Sequence, residues 1–233
     1  MSGNDNDAPA SFDAYAAGRE EPRFTDWLCE RAEPDWTDAT THAFVEELGA
    51  GTLADEAFAR YLVQDYAFVE TLVSLVGYGV GQAPTMEAKA ELAAFLGAIT
   101  TDEDDYFRRS FEALSVPESV WVDPEMNETT AAFRDLLLRA AHEGGYTETL
   151  AVLVPVEWIY LEWATATDDH PEAFYLAEWI ELHATPAFES TVGWLRSELD
   201  ERGPALSEDR QRGIERLFRR AVALEVAFFD AVY

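Results

Sequence analysis

Three acids stand where a helical protein would place apolar side chains. At helical spacing Tyr61, Asp65, Phe68 and Leu72 fall on one face, Leu150, Leu153, Glu157, Tyr160 and Ala164 on a second, and Phe218, Val222, Glu225, Phe229 and Val232 on a third. An unpartnered carboxylate is costly to bury, so such acids either pair with an arginine at a packing edge or face one another, or a polar ligand, across a pocket. Three in concert favour the pocket. Aromatics accompany them: Tyr61, Phe68, Phe133, Trp158, Tyr160, Phe228 and Phe229. Each alone is equally well explained by core packing. Together with acids they suit a flat, nitrogen-rich heterocycle, whose ring stacks while its amino group and ring nitrogens hydrogen-bond to carboxyl oxygens. A carboxyl desolvated in such a pocket has a raised pKa and can act as general acid or base near neutral pH.

Other chemistries fit less well. Di-iron bundles use Glu-x-x-His pairs, and none of His42, His142, His170 or His183 has a glutamate three residues before it, so no metal is expected. A haem needs one well-placed histidine, and His42 on the first long helical segment keeps that reading open beside the simpler one of a hydrogen-bonded packing residue. There is no Gly-x-x-x-x-Gly-Lys-Ser/Thr loop and no Gly-x-Ser-x-Gly elbow. The single cysteine, Cys29, has no partner at motif spacing and reads as an ordinary helix residue, which also rules out a disulfide framework.

The elements that must position these residues all read as helices. A first segment runs from about Phe24 to Leu48, bent or divided by Pro34 and ended by Gly49 and Gly51. Thr52 to Asp55 resembles a capping box opening a long helix through Leu72, which fades at Gly77 to Gly81. A further helix spans about Met86 to Leu114, crossing Asp102-Glu-Asp-Asp105, which reads as a solvated face. Next come a helix from about Asn127 to Glu143 and the most apolar one, about Thr147 to Thr167, which Pro155 should kink just before Glu157. After a break at Asp168 to Pro171, two shorter helices cover about Glu172 to Leu182 and Pro186 to Leu199, and a last one runs from near Ser207 almost to Tyr233. No segment alternates with period two. The expectation is an all-α, single-domain bundle of about eight helices over residues 21–233, behind a disordered acidic extension at 1–20.

The charge narrows the partners. Asp and Glu number 46 against 16 Lys and Arg, a formal charge of −30 spread along all 233 residues. An evenly acidic surface with almost no lysine keeps a protein hydrated in concentrated salt, which reads as halophilic adaptation. The same field argues against nucleic acid, which needs clustered cations, and against an anionic membrane. There is no apolar run of membrane-spanning length and no signal-like N-terminus, so a cytoplasmic protein is expected.

At these residues the chain resembles the TenA (thiaminase II) family, over nearly everything after the extension. His42-Ala-Phe-Val45, Gly51-Thr-Leu53 and Gln64-Asp-Tyr-Ala-Phe-Val69 are similar to the family's most recognisable run, and Pro155-Val-Glu-Trp-Ile-Tyr160 and Leu224-Glu-Val-Ala-Phe-Phe229 complete it. The resemblance implies a haem-oxygenase-like helical fold without haem or other cofactor, and a homo-oligomer, dimer or tetramer. It assigns Asp65 to the substrate aminopyrimidine, Glu225 to proton transfer, and Phe68, Phe133, Tyr160, His183 and Phe229 to the substrate pocket. Phe68, Phe133 and His183 fall where other members often carry tyrosines. Where cysteine-bearing members place their nucleophile this chain has Val156, and Glu157 beside it resembles the hallmark of the cysteine-lacking TenA-E subclass. That implies hydrolysis of amino- or formylaminomethyl-pyrimidine fragments of thiamin towards hydroxymethylpyrimidine, with Glu157 and Glu225 as the catalytic pair. Cleavage of thiamin itself, or non-catalytic binding of thiamin or a pyrimidine, are the competing readings.

Overall fold

The computed structural model describes residues 8–168 and 171–233, and every regular element among them is helical. The all-α expectation is met, but with more than eight helices, because caps and breaks divide the described residues into thirteen α-helical segments.

The first is α1 (Phe12–Ala16), inside the extension expected to be disordered. Ser11 starts it by accepting from the Ala14 N–H at 3.3 Å, and Phe12 and Tyr15 are buried, Phe12 lying edge-on to Phe24 at 5.2 Å. The Trp27 indole donates to the Pro9 carbonyl at 2.8 Å, so this part of the extension is tied to the bundle. The expectation for residues 1–7 lies outside the described residues, as does that for Asp169 and His170.

The segment expected from Phe24 to Leu48 is three helices: α2 (Phe24–Arg31), α3 (Asp35–Thr40), entered at Pro34, and α4 (Ala43–Gly49). His42 caps α4. Its Nδ1 accepts from the Phe44 N–H at 3.1 Å, so the ring proton sits on Nε2, which donates to Asp230 at 3.2 Å. Both ring nitrogens are engaged, which is the packing role and leaves none for haem iron.

Helix α5 (Asp55–Gln82) begins at an Ala54 cap, and the expected capping box does not form. The Thr52 hydroxyl donates instead to the Glu47 carbonyl at 3.4 Å, and Asp55 accepts from the Tyr175 hydroxyl at 2.6 Å. Nor do the glycines end α5. Lys89, the only lysine in the chain, donates to the Val80 and Gly81 carbonyls at 2.7 and 3.1 Å and satisfies the last turn. Helix α6 (Met86–Ala98), capped by Thr85, continues into α7 (Asp104–Ala113) through a π turn, Ile99–Glu103, where a single α-helix was expected.

After the short α8 (Glu118–Trp121), Asn127 caps α9 (Glu128–Glu143), accepting from the Thr130 N–H at 2.8 Å. Helix α10 (Tyr146–Ala166) continues through Pro155 as one element, with Val152, Leu153, Val154 and Ile159 fully buried. Helices α11 (Phe174–His183), α12 (Pro186–Arg202) and α13 (Glu208–Asp230) complete the chain. Helix α10 is the axis. It packs against α13, α12 and α9, and also against α3, α11 and α5, which is why its sequence is apolar all round. Helix α5 lies on α6 and α9, and α13 closes the other side on α3 and α2. No helix among the described residues is long and apolar enough to cross a membrane.

Candidate active site

Helices α5, α6, α10, α11 and the start of α12 enclose a cavity of about 430 Å³. Helical spacing selects what each contributes. Helix α5 presents Asp65 and Phe68, α10 presents Val156, Glu157 and Tyr160, and α11 presents Trp179 and His183 one turn apart. The Thr185 hydroxyl fixes the start of α12 by accepting from the Phe188 N–H at 3.1 Å, which sets Phe188 in the wall. The π turn adds Glu103.

Two deep acids dominate the electrostatics. Asp65 and Glu157 are 2% and 6% exposed, and Asp65 Oδ2 and Glu157 Oε1 have no hydrogen-bond partner. Burial drives Asp65 well above the usual carboxylate range and the charge of Glu103 adds to it, while the Tyr61 hydroxyl near it pulls part of the way back. Glu157 is raised in the same way by burial and then by the charges of Glu103 and Asp65. No arginine or lysine lines the cavity. A carboxyl kept protonated there can donate to a ring nitrogen, and a ligand that brings positive charge returns it to the acceptor form.

Glu225 does not line the cavity. It is 2% exposed on α13, and burial and then the charges of Asp65 and Glu157 raise its pKa well above the usual carboxylate range. Phe133 and Phe229 are also placed behind the wall. Phe133 supports Phe68 edge-on at 5.0 Å, and Phe229 stacks on Phe44 at 5.1 Å and lies 6.1 Å from Tyr160. They shape the pocket without facing it. Sequence spacing could assign these three to buried faces but not to a layer.

Tyr160 is in the wall, and its hydroxyl is 2.6 Å from that of Tyr61. The His183 ring packs on it at 4.9 Å. His183 Nδ1 lies 2.8 Å from the Trp179 carbonyl, which can only accept, so the proton is on Nδ1 and Nε2 is left as an acceptor. Burial lowers its pKa to about 4 and keeps the ring neutral.

Phe188, Trp179 and Glu103 are wall residues that escaped the sequence reading. Trp179 lies one helical turn before His183, a spacing that could have revealed it, and its indole N–H has no partner. Glu103 lies in the acidic run read as solvated. It is half-buried and faces the cavity, and burial pushes it up to about 8. No local signal marks it out from Asp102, Asp104 and Asp105.

The remaining candidates carry no chemistry of this kind. Among the described residues no group of His, Cys, Asp and Glu has the arrangement of a metal site. Burial, with Glu162, Glu33 and Asp26 nearby, pushes the Cys29 thiol far up, so it stays protonated and inert. A second cavity, about 390 Å³, lies between α5, α8 and the end of α13. Its polar side chains are engaged by the fold: Arg60 donates to the Val232 carbonyl at 2.5 Å, and Gln64 bonds Glu125, Asn127 and Thr130.

Residues 29–233 match the TENA/THI-4/PQQC family. The chain is 28% identical over 212 residues to an aminopyrimidine aminohydrolase of Halalkalibacterium halodurans, covering 88% of this chain and 93% of that one. It is 23% identical over 210 residues to an aminopyrimidine aminohydrolase of Helicobacter pylori, covering 89% and 97%. A crystal structure from Silicibacter sp. TM1040, described as a TenA family transcription regulator, shares the fold with a TM-score of 0.82 at 24% identity, covering 90% of this chain and 96% of that one. A match over nearly the whole helical bundle, with a shared fold, places this chain in the TENA/THI-4/PQQC family.

Proposed function

We propose that the protein is a hydrolase of thiamin salvage, in which water displaces the arm nitrogen of amino- or formylaminomethyl-pyrimidine breakdown products, as ammonia or formamide respectively, and leaves hydroxymethylpyrimidine. The observation that carries this reading is the pair of buried carboxyls, Asp65 and Glu157, each with one oxygen lacking a hydrogen-bond partner, in an aromatic cavity of heterocycle size. The names of the two similar aminohydrolases agree with it.

In this reading the ring packs among Phe68, Tyr160 and Phe188, and Asp65 accepts from the pyrimidine amine. Glu157 takes a proton from water as its oxygen bonds to the methylene carbon, and the C–N bond breaks with its electron pair on nitrogen. Glu225 does not reach the cavity, so the proton it supplies for the departing amine or the ring nitrogen passes through a wall acid, Asp65 or Glu157. Val156, which lines the cavity beside Glu157, has no nucleophilic atom, which disfavours direct attack on thiamin by a thiolate. The acid excess supports adaptation to concentrated salt, and we read the protein as a cytoplasmic dimer or tetramer. The test is amine release from each pyrimidine in high salt, by wild type and by Glu157→Gln. Release by wild type and loss in the variant is the expected result; equal rates would refute the assignment of Glu157.

A further inference from the structure

The acids at the cavity are graded by exposure. Asp65 and Glu157 are deep, Glu103 on the π turn is half-buried, and Asp102 and Glu91 are exposed at the rim. Among the described residues no arginine or lysine lines the cavity to balance them, and His183 in its wall is held neutral. The deep pair can be neutralised by protons, because burial holds those protons on. Rim acids are hydrated and attract weakly. Glu103 lies between these cases. Its carboxyl is desolvated enough for a strong charge-assisted bond yet remains accessible from the cavity, and its charge leads those acting on both Asp65 and Glu157.

This inference rests on the pyrimidine hydrolase reading and adds how the leaving group is recognised. We propose that Glu103 binds the ammonium of the substrate's aminomethyl arm, and so selects pyrimidines with a cationic arm over those with a neutral formylaminomethyl or hydroxymethyl arm. Burial pushes Glu103 up to about 8 in the empty cavity, so an arriving ammonium draws its proton off, and the resulting carboxylate meets the three donors and full charge that the ammonium offers. The reaction converts the cationic arm to a neutral alcohol: water adds its oxygen to the methylene carbon, and nitrogen leaves with the bonding pair as ammonia, retaining or taking up a proton as ammonium. The attraction to Glu103 is present for substrate and gone for product, which favours product release.

The test is calorimetric, on the full-length chain in high salt, with the aminomethyl- and hydroxymethyl-pyrimidines as probes. Glu103→Gln is expected to weaken aminomethyl binding about tenfold or more while leaving hydroxymethyl binding within about twofold. Glu103→Asp, which keeps the charge, should recover part of the preference, and Asp102→Asn should change neither affinity. Equal weakening of both ligands, weakening of neither, or the same loss in Asp102→Asn overturns the proposal. Amine release is followed in parallel. A wild type that binds with this selectivity but releases no amine refutes the hydrolase reading and leaves the Glu103 contact supported; a wild type that binds neither pyrimidine refutes both.

Discussion

Glu215 and Glu225 lie ten residues apart on the same helix, are equally well buried, and have opposite surroundings. Glu215 faces the seam between α13 and α2, where it meets Arg31 at 2.8 Å and Arg219 at 3.6 Å. Nearby acids are matched likewise, Asp200 by Arg23 at 2.7 Å and Asp26 by Arg196 at 2.6 Å. Glu225 looks towards Asp65 and Glu157, and none of the three has an arginine. An acid in an apolar stripe therefore has no meaning until its cation is found. In the seam the arginines make it structure, and around the cavity their absence leaves it to chemistry.

Substitutions on the two sides should separate accordingly. The largest effect belongs to Glu157→Gln, expected to lower kcat for amine release by about a thousandfold, as loss of a general base does. Pyrimidine affinity should change little, and the melting temperature should hold or rise, since the variant removes a buried, unpaired ionisable group. A variant that melts several degrees lower would place Glu157 with the seam acids. Asp65→Asn should instead weaken pyrimidine binding by about ten- to a hundredfold, measured by calorimetry, because an amide cannot become the anionic acceptor.

Glu215→Gln is the counterpart. It should leave amine release unchanged and lower stability by about 1–2 kcal/mol, a few degrees of melting temperature, because Arg31 loses its partner while keeping partial access to water. Loss of activity without loss of stability would erase the contrast. The smallest effect is on the pH dependence of stability. Glu103 titrates at about 8 in the folded chain against an ordinary value of 4.5, so the folded state holds the proton more tightly. That contribution is complete below the ordinary value and is lost as pH rises through the window to about 8. Melting temperature, measured without ligand at fixed salt, should therefore fall less across this window in Glu103→Gln than in wild type.

These contrasts also explain what the sequence could disclose. Helical periodicity predicts the burial of Asp65, Glu157 and Glu225, because a stripe needs only local spacing, and all three are buried. The same stripes could not separate wall from backing, since that depends on neighbouring helices: Glu225, Phe133 and Phe229 read like Asp65 and Phe68 and lie a layer deeper. The capping box at Thr52 failed because the Glu47 carbonyl, in the preceding helix α4, and the Tyr175 hydroxyl, in the distant α11, took up its polar atoms. Phe12 and Tyr15 make too short a stripe to read in a small polar stretch, and Phe12 meets its ring partners Phe24 and Trp27 only in α2. Glu103 was hidden for another reason: the helix around it changes pitch, and a fixed period reads the wrong face.

That change of pitch has a genetic side. A π turn is what an α-helix becomes when it gains one residue without breaking. A relative lacking one codon in the stretch encoding Ile99 to Glu103 could keep α6 and α7 in register with their neighbours and yet present a different side chain to the cavity. Insertion or deletion of a single codon here would thus alter the pocket's charge while sparing the bundle, a second route between substrate preferences beside point substitution in the wall.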